Sequence, residues 1–172
     1  MSSRELRWPC PNVVPGMAPV AAVLARTEQT VVAVTGMRAY PAGFGFTLQL
    51  RLRNIRHRQG REFWPFPELG PHRHPPWPDE VLRLTVQFAD GRSVSILDQP
   101  TGEAPDPDRP MLSTGPGTGG GVDGWSFDME YRVRPLPPSG QLAFICAWPD
   151  AGSRPRGWRL TAGRSARPPT PR

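Results

Sequence analysis

The sequence predicts an all-β protein, an antiparallel β-sandwich of the immunoglobulin-like kind with about seven or eight strands. Three observations support this: segments in which apolar and polar residues alternate, turn-forming residues between those segments, and no convincing amphipathic helix. A chain of 172 residues is long enough for one domain with a full core. We therefore expect an extended arm at residues 1–19, a single sandwich domain at 20–161 and a disordered Arg/Pro-rich tail at 162–172. A small barrel is the alternative fold.

The clearest pattern, at residues 30–53, predicts a long β-hairpin. Its two apolar runs are rich in β-branched and aromatic residues, and the Tyr-Pro-Ala-Gly sequence at residues 40–43 separates them. In the second run, every second residue from Phe44 to Leu52 is apolar, which is the period of a half-buried strand. Gly36 marks an expected bulge in the first run. A shorter apolar run at residues 20–26 predicts the strand before this hairpin.

Further strands follow the same logic. The Asp-Gly pair at residues 90–91 is the strongest short-range hairpin signal in the chain, since both turn positions need positive φ. Towards the C-terminus, the apolar residues interleaved within residues 142–148 predict a strand covered on both faces. The remaining predicted strands lie at residues 81–89, 92–97, 124–134, 142–148 and 155–161.

Two long Pro/Gly-rich loops interrupt the strands, at residues 54–79 and 98–123. The first is far longer than an ordinary connection, which predicts a functional or a disordered segment. Its aromatic residues argue against simple disorder. We expect it to form an interaction surface; the alternative is that such loops fold back and cap the open ends of the sandwich. We expect the second loop to be mobile. The residues of the predicted surface are Phe63, Trp64, Phe66 and Trp77.

The histidines of the first loop raise the alternative of a metal site. His72 and His74 would share one face of a strand, as ligands of one metal must, and His57 and several carboxylates lie nearby in the sequence. Prolines flank the pair, however, which favours an exposed loop with incidental histidines. We therefore predict no metal and no cofactor.

The charge is unevenly placed. All 21 basic residues are Arg, and with 24 Pro and 18 Gly this indicates G+C-rich codons more than phosphate binding. Residues 1–150 hold 15 Arg and all 15 acidic residues, so the excess of +6 lies in the C-terminal segment 151–172. Nucleic-acid binding through that tail is a further alternative function.

The N-terminus and the cysteines predict a cytoplasmic protein. The N-terminal segment lacks the apolar core of a signal peptide, and the apolar run at residues 18–25 is too short to span a bilayer. Cys10 and Cys146 do not make a disulfide framework. Cys146 lies in an apolar run and is predicted to pack as a small hydrophobe.

No catalytic constellation is found in the sequence. The glycine run at residues 115–120 formally matches G-x-G-x-x-G, but a dinucleotide site requires a strand before that turn and a helix after it. Here a Pro/Asp-rich loop precedes the run and an alternating strand follows. We interpret the match as a chance result of the low-complexity, glycine-rich sequence.

Several strings together resemble a known group: VAVTGMRAYPAGFGFTLQLRLR, LRLTVQFADGR, GTGGG and WSFDMEYRVRPLPPSGQLAFICAWP. They are similar to an uncharacterised family of small cytoplasmic proteins from high-G+C actinobacteria, over residues 20–150. The resemblance implies no reaction, ligand or catalytic residue.

The function predicted from these observations is a non-enzymatic protein–protein interaction module with an unknown protein partner. Residues 54–79 are its expected contact surface. The alternatives are a metal-dependent protein using His57, His72 and His74, or a nucleic-acid binder using the tail. A carbohydrate-binding module is a further option, which the predicted cytoplasmic location disfavours.

Overall fold

The computed structural model of the chain describes residues 13–53, 66, 81–98, 106, 108–121, 124–148 and, for the backbone alone, 153–162. Within these residues every regular element is a β-strand, which confirms the predicted all-β class. The strands are β1 (Gly16–Arg26), β2 (Thr30–Tyr40), β3 (Gly43–Arg53), β4 (Arg83–Gln87), β5 (Ser93–Ser95), β6 (Met111–Gly120), β7 (Gly124–Arg134), β8 (Gly140–Trp148) and β9 (Ser153–Ala162).

The strands form two antiparallel sheets. The five-stranded sheet has the order β1-β2-β3-β7-β6, and the four-stranded sheet has the order β5-β4-β8-β9. The chain changes sheet after β3, after β5 and after β7, so strands that neighbour each other in space are often distant in sequence. Sequence neighbours β2 and β3 form the predicted long hairpin, paired from Thr30 with Leu52 to Tyr40 with Gly43.

One core lies between the two sheets. Phe46 of β3 meets the edge of Phe144 of β8 with ring centroids 5.1 Å apart, and it stacks on Tyr131 of β7 at 5.7 Å. All three side chains are fully buried. Burying a side chain of this size contributes about 1.5–3 kcal/mol of hydrophobic free energy, so the alternating residues of β3 and β7 are a main source of stability.

The first strand begins earlier than the sequence predicts. β1 starts at Gly16, inside the segment expected to be an extended arm, because Met17 and Ala18 pair with Arg38 and Met37 of β2. Pro19 interrupts the apolar pattern there, and it falls at a register shift between Ala18 and Ala21. A proline is tolerated at such an irregularity because it has no backbone N–H to give to the ladder.

The second long loop was predicted incorrectly, since residues 98–123 contain strand β6. This strand shows no alternation because its second half is largely glycine. Its order comes from the neighbouring strand β7: a Cβ atom on Gly119 would lie 2.6 Å from Cδ1 of Phe127, so the ring occupies the space above that glycine. Aromatic cover of this kind compensates a glycine in an edge strand.

Two other sequence predictions are confirmed. The bulge at Gly36 lies in the register shift between Thr35 and Arg38, and the φ of Gly36 is 59°. The hairpin at Asp90 and Gly91 is also present, and the φ of Gly91 is 88°. Its loop has three residues, 89–91, rather than the two expected, because Phe88 pairs with Arg92 and the N–H of Gly91 donates to the carbonyl of Phe88 at 3.1 Å.

The prediction that both faces of β8 are buried is confirmed in part. Phe144, Cys146 and Trp148 are buried between the sheets, and Ala143 is buried on the opposite face. Ile145 and Ala147 on that opposite face are half-buried.

Candidate functional site

Only one residue of the predicted interaction surface lies among the described residues. Phe66 is fully buried, and its ring meets the edge of Phe127 with centroids 5.9 Å apart. It belongs to the core rather than to an exposed surface, as the alternative of a capping loop expects. Phe63, Trp64 and Trp77 lie outside the described residues, and so do His57, His72 and His74. The loop surface and the metal site therefore stay predictions.

A different surface, at one end of the five-stranded sheet, forms a concave site of about 550 Å³. Three segments meet there: the β1–β2 turn, the last residues of β3, and the β6–β7 turn. We call it the sheet-end site. Its lining residues are Arg26, Thr27, Glu28, Gln29, Thr30, Val31, Arg51, Leu52, Arg53, Gly120, Gly121, Gly124, Trp125 and Ser126.

Hydrogen bonds fix the β1–β2 turn at the rim of the sheet-end site. The hydroxyl oxygen of Thr27 accepts from the backbone N–H groups of Gln29 at 3.3 Å and Thr30 at 3.0 Å. The N–H of Arg53 in turn donates to the carbonyl of Gln29 at 2.8 Å. A threonine that holds its own turn in this way is typical of short loops. The turn is therefore tied to the end of β3.

The two glycines that border the β6–β7 connection, Gly121 and Gly124, have no room for a side chain. A Cβ atom on Gly121 would overlap the carbonyl of Gly124, and one on Gly124 would overlap the carbonyl of Leu52. Glycine at both positions lets Gly121 lie against Gly124, and Gly124 lie against β3. As a result Trp125, the next residue, lies directly opposite Leu52.

Trp125 is the aromatic residue of the sheet-end site, and 37% of its surface is exposed. Its ring is nearly parallel to that of Phe127, at 10° and with centroids 5.8 Å apart. Phe127 then contacts the buried Phe66. The three rings form a continuous row from solvent into the core, so Trp125 stands on a rigid base.

Three arginines supply the charge of the sheet-end site. Arg51 is held in place, because its guanidinium donates to the carboxylate of Asp128 at 2.6 Å and to the carbonyl of Phe127 at 3.1 Å. Arg26 and Arg53 are exposed, and neither forms an ion pair with another described residue. These arginines lie on the outward face of the sheet, whereas Trp125, opposite the buried Leu52, lies on the inward face.

Neither metal binding nor thiol chemistry is indicated in the described part of the chain. No group of three or more His, Cys, Asp or Glu is placed there to hold a metal ion. Burial raises the pKa of the Cys146 thiol from 9.0 to about 12, so the thiol stays protonated at neutral pH. This confirms the prediction that Cys146 packs as a buried hydrophobe.

Membrane insertion through a helix finds no support in the same residues. The described ranges contain no helix of the length and hydropathy that a membrane crossing requires.

The sheet-end site is not predictable from local sequence patterns. Arg26 and Arg53 are 27 positions apart (53 − 26) and come together only through the pairing of β1, β2 and β3. Trp125 was assigned correctly to an alternating strand, but its exposure depends on where the opposite sheet ends. The signal that was available is the pair Gly121 and Gly124 directly before a tryptophan, which indicates a close backbone approach beside an aromatic residue.

Comparison with known proteins adds no relative. No protein-family model, no curated protein and no solved structure matches this chain. The resemblance to an actinobacterial family therefore stays a prediction, and the function is inferred from the chain's own residues.

Proposed function

We propose that this chain is a non-enzymatic, cytoplasmic protein-interaction module that contacts its partner through the sheet-end site. The observation that carries the proposal is Trp125, which is 37% exposed at the end of the sheet and stacks on Phe127. Arg26 and Arg53 lie at the same end, on the outward face of the sheet, without an ion-pair partner among the described residues. Tryptophan and arginine are the residues most enriched among the energetic centres of protein interfaces. A surface that offers both on an ordered strand end suits recognition.

The strand order supports an immunoglobulin-like sandwich as the framework. In that fold one sheet has the strand order A-B-E-D, and the other places C beside F and G, with C′ added in the variable type. Strands β2, β3, β7 and β6 take the places of A, B, E and D, while β5, β4, β8 and β9 take those of C′, C, F and G. β1 is an additional edge strand. Sandwiches of this kind carry their binding loops at the ends of the sheets, where the sheet-end site lies.

The polar groups of the site support binding rather than catalysis. Among the described residues that line it, the one carboxylate is that of Glu28, and none is a histidine or a cysteine. The hydroxyl of Thr27 accepts two backbone N–H groups, and the hydroxyl of Ser126 donates to the carbonyl of Gly120 at 3.1 Å. Neither hydroxyl is paired with a base that would activate it as a nucleophile.

Site-specific photo-crosslinking in the native cell tests the proposal. Benzoylphenylalanine is placed at Gln29, on the rim of the sheet-end site, and in a second strain at Gln141, which is also exposed but lies at the opposite end of the sandwich. We expect a discrete covalent adduct with one protein from position 29, its loss when Trp125→Ala is added, and no such adduct from position 141. Equal adducts from both positions, or an adduct that survives Trp125→Ala, would contradict the proposal.

A further inference from the structure

We infer that a second copy of this chain packs along β1 to form a weak dimer, with the two β1 strands antiparallel and Ala21 on the two-fold axis. The contact surface is the outward face of β1 and of the neighbouring part of β2.

The water-facing positions of β1 are apolar, which is unusual for a strand with one solvated face. Every second residue from Met17 to Val23 is exposed, and none of these residues is polar. Met17 is 68% exposed and Val23 is 50% exposed. Such positions are normally polar, so a continuous exposed apolar series indicates a surface that another molecule covers.

The neighbouring strand widens this surface. Val23 lies opposite Ala33 of β2, and Ala33 points outward because Val32 and Val34 on either side of it are fully buried. Val31 lies on the same outward face and is half-buried. We call the resulting surface, two strands wide, the apolar strip. Its six residues are Met17, Pro19, Ala21, Val23, Val31 and Ala33.

Charged side chains border the apolar strip and pair with one another. Arg51 of β3 is bound to Asp128 of β7 at 2.6 Å, and Arg38 of β2 is bound to Glu130 of β7 at 2.8 Å. Residues 16–25 of β1 carry no charge. An apolar centre with a polar rim is the composition of a protein interface.

A second copy of the chain suits the apolar strip because the strip lacks charge. Homodimer interfaces are more apolar than those of transient complexes between different proteins. A two-fold axis also keeps like charges apart, since the one charged residue of β1, Arg26, lies at its end. With Ala21 on the axis, Arg26 of one copy lies opposite Gly16 of the other. The two Arg26 residues are then ten positions (26 − 16), or roughly 33 Å, apart along the strands.

The backbone of β1 limits the strength of this contact. Pro19 and two register shifts interrupt the regular edge of the strand, so side chains rather than a continuous hydrogen-bonded ladder join the copies. The six residues of the apolar strip are also far fewer than the roughly 20–30 residues a side of a standard interface. We therefore expect a dissociation constant on the order of 100 µM.

Sedimentation equilibrium of the full-length chain from about 5 to 500 µM tests the inference. We expect a monomer–dimer equilibrium that added salt does not weaken, because the contact is uncharged. Val23→Glu should weaken the dimer at least about tenfold, since each dimer would bury two unpaired carboxylates. Leu136→Glu is the matched control, because Leu136 is 38% exposed outside the apolar strip. It should dimerise as the wild type does.

A charge-swapped pair tests the two-fold arrangement. Ala21→Asp and Ala21→Arg each place two like charges at the axis, so each variant alone should stay monomeric. An equimolar mixture of the two should form a heterodimer, because opposite charges then face each other. Circular dichroism checks that each variant is folded.

Three results would overturn the inference. The first is a wild-type chain that stays monomeric up to about 500 µM. The second is a dimer that survives Val23→Glu, or that Leu136→Glu weakens equally. The third is a mixture of folded Ala21→Asp and Ala21→Arg chains that forms no heterodimer. These results leave the proposed function standing, because that function depends on Trp125 and is measured by crosslinking to another protein.

Discussion

The centre of the molecule and the sheet-end site are built from the same strands and the same alternating pattern, yet they differ in what covers them. At the centre, Phe46 of β3 is enclosed by Phe144 of the opposite sheet and is fully buried. At the end of β7, Trp125 continues the same inward-facing series but stays 37% exposed. An alternating strand therefore stabilises the fold where the opposite sheet covers it, and offers a binding surface where that cover ends.

The largest difference between the two regions should appear in unfolding free energy. Phe46→Ala should lower the free energy of unfolding by about 3–5 kcal/mol, because it leaves a cavity among rings that cannot collapse. Trp125→Ala should cost clearly less, since the indole is exposed in part. Urea denaturation of both variants measures this. Equal losses would mean that Trp125 belongs to the core, which contradicts the distinction.

The second prediction concerns the backbone of the β6–β7 turn. Gly121→Ala should lower the free energy of unfolding by about 1–3 kcal/mol, because its Cβ atom meets the carbonyl of Gly124 and the turn must shift. Gly16→Ala is the control, since the nearest atoms to a Cβ there lie 4.0 Å away. It should change the stability by a few tenths of a kcal/mol. Similar losses in the two variants would show that the close approach in the turn has no consequence.

The third prediction tests how well the centre excludes water. The pKa of Cys146 is about 12 in the folded chain against an ordinary 9.0. Between these two values the unfolded thiol has lost a proton that the folded thiol keeps, so the free energy of unfolding falls as pH rises. The slope is at most about 1.4 kcal/mol per pH unit. Below pH 9 this contribution to the pH dependence disappears.

Denaturation curves between pH 8 and 11, in a Cys10→Ser background, check that sign. The free energy of unfolding of the chain with Cys146 should fall relative to that of Cys146→Ala as pH rises. A constant difference between the two chains would mean that water reaches the thiol.

The smallest effect is expected at the ion pair beside the sheet-end site. Arg51 and Asp128 are both more than a third exposed, so Asp128→Asn should lower the free energy of unfolding by only a few tenths of a kcal/mol. Thermal melts measure the effect. A loss of more than about 1 kcal/mol would contradict the expectation that solvent screens this exposed pair.

Much of the framework was predictable from the sequence because strands β2, β3 and β7 carry their own pattern. Every second residue from Phe44 to Leu52 is buried as the alternation indicates. β6 was missed because glycine shows no period, and its order depends on side chains of β7. Local sequence does not contain that information.

The sheet-end site could not be predicted from the local sequence for a different reason. It requires the register of four strands, which places Arg26 and Arg51 in one row on either side of Val31 and places Trp125 opposite Leu52. The binding surface was predicted instead at the aromatic loop of residues 54–79. Its one described residue among the predicted contacts, Phe66, is buried in the core. Aromatic content alone does not distinguish a loop that binds a partner from one that caps the fold.

The central claim is that the sheet end with Trp125 is the binding surface. Its most direct test is the affinity of the partner captured by photo-crosslinking for Trp125→Ala and for Leu136→Ala. Leu136 is the control because 38% of its surface is exposed, almost the same as for Trp125, away from the site. We predict at least a tenfold loss of affinity for Trp125→Ala and no change for Leu136→Ala, with both chains folded. Unchanged affinity in Trp125→Ala, or equal losses in the two, would contradict the account.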